Sequence, residues 1–391
     1  MPSVSVNPVL LEWAITRSGL PPEQLHERFP KLDAWVSGEK SPTFRQLEDF
    51  ARATMTPFGL MFLDAPPIEE FQIPDFRTRD DKPIGTFSPN LIDTLQTMQR
   101  RQAWMREWLL EQGAEPLEIV GSLSTQRNVQ SAAQRIRQDL DLDVNWAGGL
   151  RSWEIALQTL RGAAERTGVI VFSNSVVGMN NSRPLDPEEF RGFVLCDDYA
   201  PVVFLNDADT KSARIFTLVH ELAHVWIGQD AVFNLDSLLP AKEASERFCN
   251  RVAAEFLVPT DQMKSVWDEV KRSNQRFGLL GKQFKVSPLV VARRALDLRF
   301  ISRLEFFEFY NEDQRRWQKI RSERRKDKST SGNFYNTEGA RLGHRFASAL
   351  VRATREGRAT YQEAYRLTGM KSQTFRRFSE KVRERMIANR E

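Results

Sequence analysis

The chain is poor in the residues that cross-link or metallate small folds: its 391 residues include only two cysteines, Cys196 and Cys249, and four histidines. That scarcity excludes a disulfide scaffold and any zinc module built on four cysteines or on paired cysteines and histidines. A reducing, cytoplasmic setting is the simpler expectation. Runs of 18 apolar residues are also absent. The first twenty residues have no basic n-region, and Glu12 interrupts their apolar stretch, so the sequence predicts neither a secretory leader nor a membrane span. Hydrophobic residues make up 41% and charged residues 28%, which fits neither a disordered acidic tail nor a membrane bundle. The length predicts two to four domains.

What is present is unevenly charged. From Arg315 onward 21 Lys or Arg face 8 Asp or Glu, whereas the preceding chain carries 35 against 44. The last fifth is therefore electrostatically distinct, and a basic block binds phosphate backbones through counterion release while an acidic body opposes it.

Along the chain, LLEWAITR, PPEQLHERF and FRQLEDFARAT read as short helices between residues 8 and 64, the second with proline at its start. LEWAITRSGL, WVSGEKSPTFRQLEDFA and Pro57 resemble an Xre-type helix-turn-helix domain. Between Leu25 and Gly38, with Pro30 inside, there is too little chain for a turn plus a full recognition helix, so the domain reads as degenerate. Residues 64–83, rich in proline and charge, read as an extended linker. Ser88 and Pro89 then open a long helix to Gly113, with Leu91, Leu95, Met98, Met105 and Leu109 at near-helical spacing. Further helices are expected over 131–140 and 151–166. GVIVF (168–172), GFVLC (192–196) and PVVFL (201–205) read as three strands leading into a helix from Thr210.

That helix contains VHELAHVWIG. His220 and His224, four apart, lie one turn above each other, so both imidazoles leave one face and can share a metal, while Leu218, Leu222 and Val225 form an apolar back. Downstream, EASERFCNRVAAEFLVP is helix-patterned. Glu246 follows His224 by 22 residues, enough chain to return to the site and complete two histidines and one glutamate, with a fourth position open to water, as in catalytic zinc sites. Asn250, on the same face, can accept a hydrogen bond from a ligating imidazole and fix its tautomer. Glu243 is the competing ligand, but its helical position points elsewhere. His344, Tyr335 and Tyr199 are of the types that stabilise an oxyanion, and none stands out.

Together FTLVHELAHVWIG and SERFCNRVAAEFLVP resemble the ImmA/IrrE metallopeptidases, a match extending over about residues 190–260 and continuing more weakly through FGLLGKQFKVSPLVVARRALDL (277–298). The resemblance implies His220, His224 and Glu246 as ligands of one Zn2+ ion and Glu221 as the catalytic carboxylate. It also implies a regulatory setting: stress responses, mobile elements or toxin–antitoxin pairs, with a repressor-like protein substrate or a cognate toxin as partner and no membrane. The GFVLC strand is expected to be a sheet edge on which a peptide substrate pairs.

The fold class expected is α+β, mostly α: a zincin-like core with a short three-stranded sheet on the HExxH helix, flanked by helical, helix-turn-helix-like domains. The domains expected are 1–65 (Xre-like), 66–145 (linker and helical scaffold), 146–310 (metallopeptidase) and 311–391 (basic, helical). Residues 315–333 read as a basic connector. After it, 361–386 repeats a helix-turn-helix shape with Gly369 in the turn, and Arg376, Arg377, Lys381, Arg383 and Arg385 form the surface that would meet DNA. The function expected is a zinc-dependent endopeptidase; the alternative is a non-proteolytic antitoxin or transcriptional regulator with a structural metal.

Overall fold

A computed structural model describes residues 3–67, 87–233, 244–324 and 341–388, with the side chains of 232, 233, 317–324, 387 and 388 left aside. Most of the 64–83 linker lies outside the described residues, as do residues 325–333 of the expected connector; its first ten residues, 315–324, are not a connector but the end of a helix that begins at Arg303. The chain divides into two compact units, Met1–Gln96 and Thr97–Glu391.

In the first unit, α1 (Pro8–Ser18), α2 (Pro22–Arg28), α3 (Leu32–Val36) and α4 (Phe44–Ala53) are followed by a 3-10 turn, Phe58–Phe62. Local chemistry sets these ends. The Asn7 side chain accepts from the Val9 N–H, and Gly19 closes α1 in the left-handed region. Thr43 and Gln46 form a capping box at α4. Phe29, Trp35 and Phe50 pack ring to ring, with centroids 5.6–6.4 Å apart, over Leu11, Leu25 and Leu47. The short span between Leu25 and Gly38 holds α3 to five residues, about 7.5 Å of helix at 1.5 Å per residue.

Helix α5 (Pro89–Glu111), across which the division at Gln96 falls, is capped by Ser88 Oγ and buries Leu91, Leu95, Met98, Met105 and Leu109. Two helices, α6 (Val129–Asp139) and α7 (Trp153–Arg166), precede the sheet.

The three apolar runs form β1 (Ile170–Asn174), β4 (Gly192–Leu195) and β5 (Val202–Asn206), each buried at every position. The sheet is larger than the three strands expected. After α8 (Lys211–Ile227) the chain returns as β6 (Ala231–Phe233), and the order is β1-β5-β4-β6, with β1 parallel to β5 and the other pairs antiparallel. A separate hairpin pairs β2 (Val176–Val177) with β3 (Asn180–Pro184). The expectation that GFVLC is an edge is overturned by the same return: β4 pairs with β5 along Gly192–Leu195 and with β6 along Gly192–Val194, so it is an interior strand.

Helix α8 packs on β4 and β5 and between α7 and α9 (Ala244–Leu257). Its last carbonyls, at Val225 and Trp226, are taken by the N–H groups of Gly121 and Leu123, and Gly228 caps it in the left-handed region. Next come α10 (Thr260–Val270), α11 (Arg276–Phe284) and α12 (Pro288–Asp297). Ser287 caps α12 ahead of Pro288, and Leu280, Phe284, Val291 and Ala295 join the core shared with α8 and α9. Helix α13 (Arg303–Arg324) follows.

The last three helices, α14 (His344–Arg355), α15 (Tyr361–Thr368) and α16 (Ser372–Ala388), seat on the sheet through Phe346, whose ring meets Phe172 edge to face at 5.3 Å. The Arg101 guanidinium lies over both rings and donates to the Leu367 carbonyl at 2.9 Å. At the α15–α16 turn, a Cβ on Gly369 (φ 74°) would lie 3.2 Å from Met179 in the hairpin.

A buried ion pair ties α9 to α12. Arg294 bonds Glu255, the Thr260 hydroxyl (2.8 Å) and the Val258 carbonyl (3.0 Å), while Glu255 also accepts from the Thr260 N–H and hydroxyl. Removing one partner of such a pair strands the other charge. Arg294→Ala is expected to lower stability by about 3–5 kcal/mol, read as a lower guanidinium midpoint for the full chain.

Candidate metal centre

Two helices that are far apart in sequence meet at one point. On α8, His220 and His224 are fully buried. Glu246, in the first turn of α9, faces them: its Oε2 lies 3.3 Å from His220 Nε2, its Oε1 3.0 Å from His224 Nε2, and the two Nε2 atoms are 3.2 Å apart. These three residues form the one His/Cys/Asp/Glu cluster of metal-binding geometry among the described residues.

The spacing can be tested against an ion. Four ligands at zinc's bond lengths of about 2.0–2.1 Å sit ~3.3 Å from one another on the edges of a tetrahedron. The observed separations, 3.2 Å between the two Nε2 atoms and 3.0 and 3.3 Å from each to its nearer carboxylate oxygen, are of that size. Imidazole nitrogen with carboxylate oxygen is also the donor set that suits zinc. The residues present therefore fit a divalent ion bound through both Nε2 atoms and the carboxylate.

Electrostatics point the same way. Burial pushes the His220 imidazole below its ordinary pKa, against the pull of Glu246, so the ring tends to the neutral form a ligand needs. Burial alone would raise Glu246, but the two histidines more than offset it and hold the carboxyl below its usual range. Asn250, one turn beyond Glu246, is a neighbour whose side chain draws the His220 imidazole back up, as the last and smallest of the influences on it. The Nδ1 atom of His224 is buried and meets no hydrogen-bond partner among the described residues.

Glu221 lies beside the pair on α8 and is also fully buried. Neither of its carboxyl oxygens has a hydrogen-bond partner among the described residues. Burial, with the Glu246 charge adding to it, pushes its carboxyl well above the ordinary carboxylate range. A buried carboxyl with that bias is suited to hold a proton and release it, which is general acid–base work.

The remaining expected residues lie elsewhere. Glu243 and Tyr335 fall outside the described residues. The Tyr199 ring sits under the Arg106 guanidinium, 5.4 Å from ring centroid to carbon, and the backbone N–H of His344 donates to Glu165 at 2.9 Å. Arg376, Arg377, Lys381, Arg383 and Arg385 are exposed on α16.

The sequence reading passed over Gly192, on which the site depends. A Cβ there would come within 2.6 Å of Thr217 Cγ2, 2.8 Å of the Phe204 carbonyl oxygen and 3.3 Å of Glu221 Oε1. A glycine opening an otherwise apolar strand is the signal for such a close approach.

Residues 164–296 match the family model of the IrrE N-terminal-like domain (Peptidase M78). This supports a relationship of that stretch to the ImmA/IrrE family and suggests a metallopeptidase-like function. Residues 342–381, which include α14 and α15, match a domain of unknown function (DUF8813). No curated protein matches the chain. Among the described residues, no helix is long and apolar enough to cross a membrane.

Gly192→Val is expected to force α8 away from β4, at a cost of about 1–3 kcal/mol from overpacking. The check is a lower melting temperature together with weaker zinc retention against a chelator; an unchanged pair of values would contradict the close-approach argument.

Proposed function

We propose that the chain is a zinc-dependent endopeptidase that cuts a protein partner, with a transcriptional repressor as the substrate class its family resemblance suggests. The observation that carries the reading is the convergence of two imidazole nitrogens and a carboxylate at 3.0–3.3 Å, with a buried, unpartnered glutamate on the adjoining helix position. His220, His224 and Glu246 would hold the ion, and Asn250 would steady the His220 ring. A bound divalent ion supplies Lewis acidity to a scissile carbonyl and makes hydroxide accessible at neutral pH. Glu221 would take the proton from the attacking water and return it to the leaving amine. A purely structural site has no use for that carboxyl. The helical segments on either side of the 164–296 region would serve to recognise or regulate the partner.

Metal content and cleavage, read together, test this. Wild type and Glu221→Gln should each hold about one zinc per chain, and Glu246→Ala should hold little. Coexpressed with the proteins encoded beside it, wild type should cut one of them, and Glu221→Gln should lose at least about a hundredfold in rate. Zinc-loaded wild type that cuts none of them would contradict the proposal.

A second reading has one observation in its favour. Arg376, Arg377, Lys381, Arg383 and Arg385 are all exposed on a helix that follows a tight turn at Gly369. In that reading the chain is a regulator that grips DNA or a toxin, and its metal is structural. A gel shift on the chain's own promoter would then be salt-dependent and indifferent to Glu221→Gln. With Arg376 and Arg377 both changed to Glu, the slope of log affinity against log salt should fall by about 2. Binding unaffected by that double change would remove DNA from the reading.

A further inference from the structure

Helix α9 presents two adjacent stripes. Glu246 and Asn250, four residues apart, belong to the metal seat. Arg247 and Arg251, each one position further and so about 100° around the helix, line a cavity of about 750 Å3. Asn250 lines that cavity as well, and so does Phe216, one turn before His220 on α8. The cavity therefore reaches within one helical turn of Glu246 on α9 and of His220 on α8.

Its lining combines charge with apolar surface. Five arginines, at positions 191, 247, 251, 293 and 294, face it against two carboxylates, Glu255 and Asp297. Arg294 is bound to Glu255, Arg293 lies 3.1 Å from Asp297, and Arg191 pairs with Asp209 at 3.0 Å. Arg251 is exposed and makes no ion pair with the described residues. Val129, Leu289, Val290 and Leu298 supply an apolar wall. The volume lies within the 300–1,000 Å3 usual for ligand pockets and leaves room for several side chains.

We propose that this cavity is the substrate subsite beside the metal seat, and that it takes a segment of the protein substrate carrying an acidic side chain among apolar ones. The inference rests on the peptidase reading. A guanidinium fork matches a carboxylate in geometry and charge, and the apolar wall suits the neighbouring side chains but gives a phosphodiester chain nothing to bury. Arg251 is the specificity-determining residue, with Arg247 beside it on the same stripe. The Glu255–Arg294 pair fixes the floor, because it joins α9 to α12 across the cavity.

The test uses binding rather than cleavage. Three fluorescein-labelled nonapeptides share one apolar frame with Glu, Gln or Lys at the central and two flanking positions. Each is titrated by anisotropy against full-length, zinc-loaded Glu221→Gln protein. The Glu peptide should bind at least about tenfold tighter than the Gln peptide, and the Lys peptide weakest. A further Arg251→Glu change should abolish or invert that order, and Arg251→Lys should restore most of it; zinc content and melting temperature report whether each variant is folded. Equal binding of the three peptides, or a Glu preference that survives Arg251→Glu combined with Arg247→Glu in folded protein, overturns the proposal. The two readings can fail separately. Wild type that cuts a partner without any acidic preference sinks the subsite and leaves the peptidase standing. An acidic preference in a chain that cuts nothing leaves the cavity as an acidic-peptide site, and sinks the peptidase and with it the cavity's role as a substrate subsite.

Discussion

Two imidazole nitrogens and a carboxylate held within 3.3 Å of one another, in an interior where both rings are fully buried, present several lone pairs to one small volume. Such an arrangement calls for a cation, since the low dielectric of the interior magnifies whatever charge is left unmatched. Everything around it holds the two contributing helices in register. Helix α8 is fixed along its length by β4, β5 and α7, and at its C-terminus by the segment that caps Val225 and Trp226. Helix α9 is fixed by α8, by α6 and by the Arg294–Glu255 pair that reaches α12. Gly192 sets how close the sheet comes: without a Cβ, β4 lies against Thr217 and Glu221, and the carboxyl of Glu221 is shut away from solvent.

In the proposed function the buried Glu221 and the exposed Arg251 would have separate tasks. Glu221 lies in the buried seam between α8 and the sheet. Arg247 and Arg251, proposed to sort substrates, lie on the exposed flank of α9, one position beyond Glu246 and Asn250 respectively. On the proposed reading α9 would link recognition to the metal seat without an intervening loop, with Asn250, which lines the cavity and acts on His220, common to both.

Legibility in the sequence followed the range over which each feature is determined. His220 and His224 could be read because a four-residue spacing on a helix is a local geometric fact, and Glu246 and Asn250 because the same rule applies on a second helix. The three apolar runs were legible as strands because each is β-branched and bounded by turn residues. Strand β6 was not, because three residues carry no periodicity, and with it went the order of the sheet and the expectation that β4 was an edge. The cavity was equally hidden. Arg191, Arg251 and Arg293 are separated by dozens of residues; they come from the residue before β4, from α9 and from α12, and only the tertiary fold brings them around one cavity. Gly192 looked like an ordinary strand boundary, because the Thr217 and Glu221 side chains that require it come from a later helix.

The most direct test of the account is zinc K-edge X-ray absorption on the purified chain. The account predicts a first shell of nitrogen and oxygen only, at about 2.0–2.1 Å, with the outer-shell scattering of two imidazoles, lost in Glu246→Ala. A sulfur shell at about 2.3 Å, which would place Cys196 or Cys249 on the ion, or a chain that takes up no zinc, would contradict it.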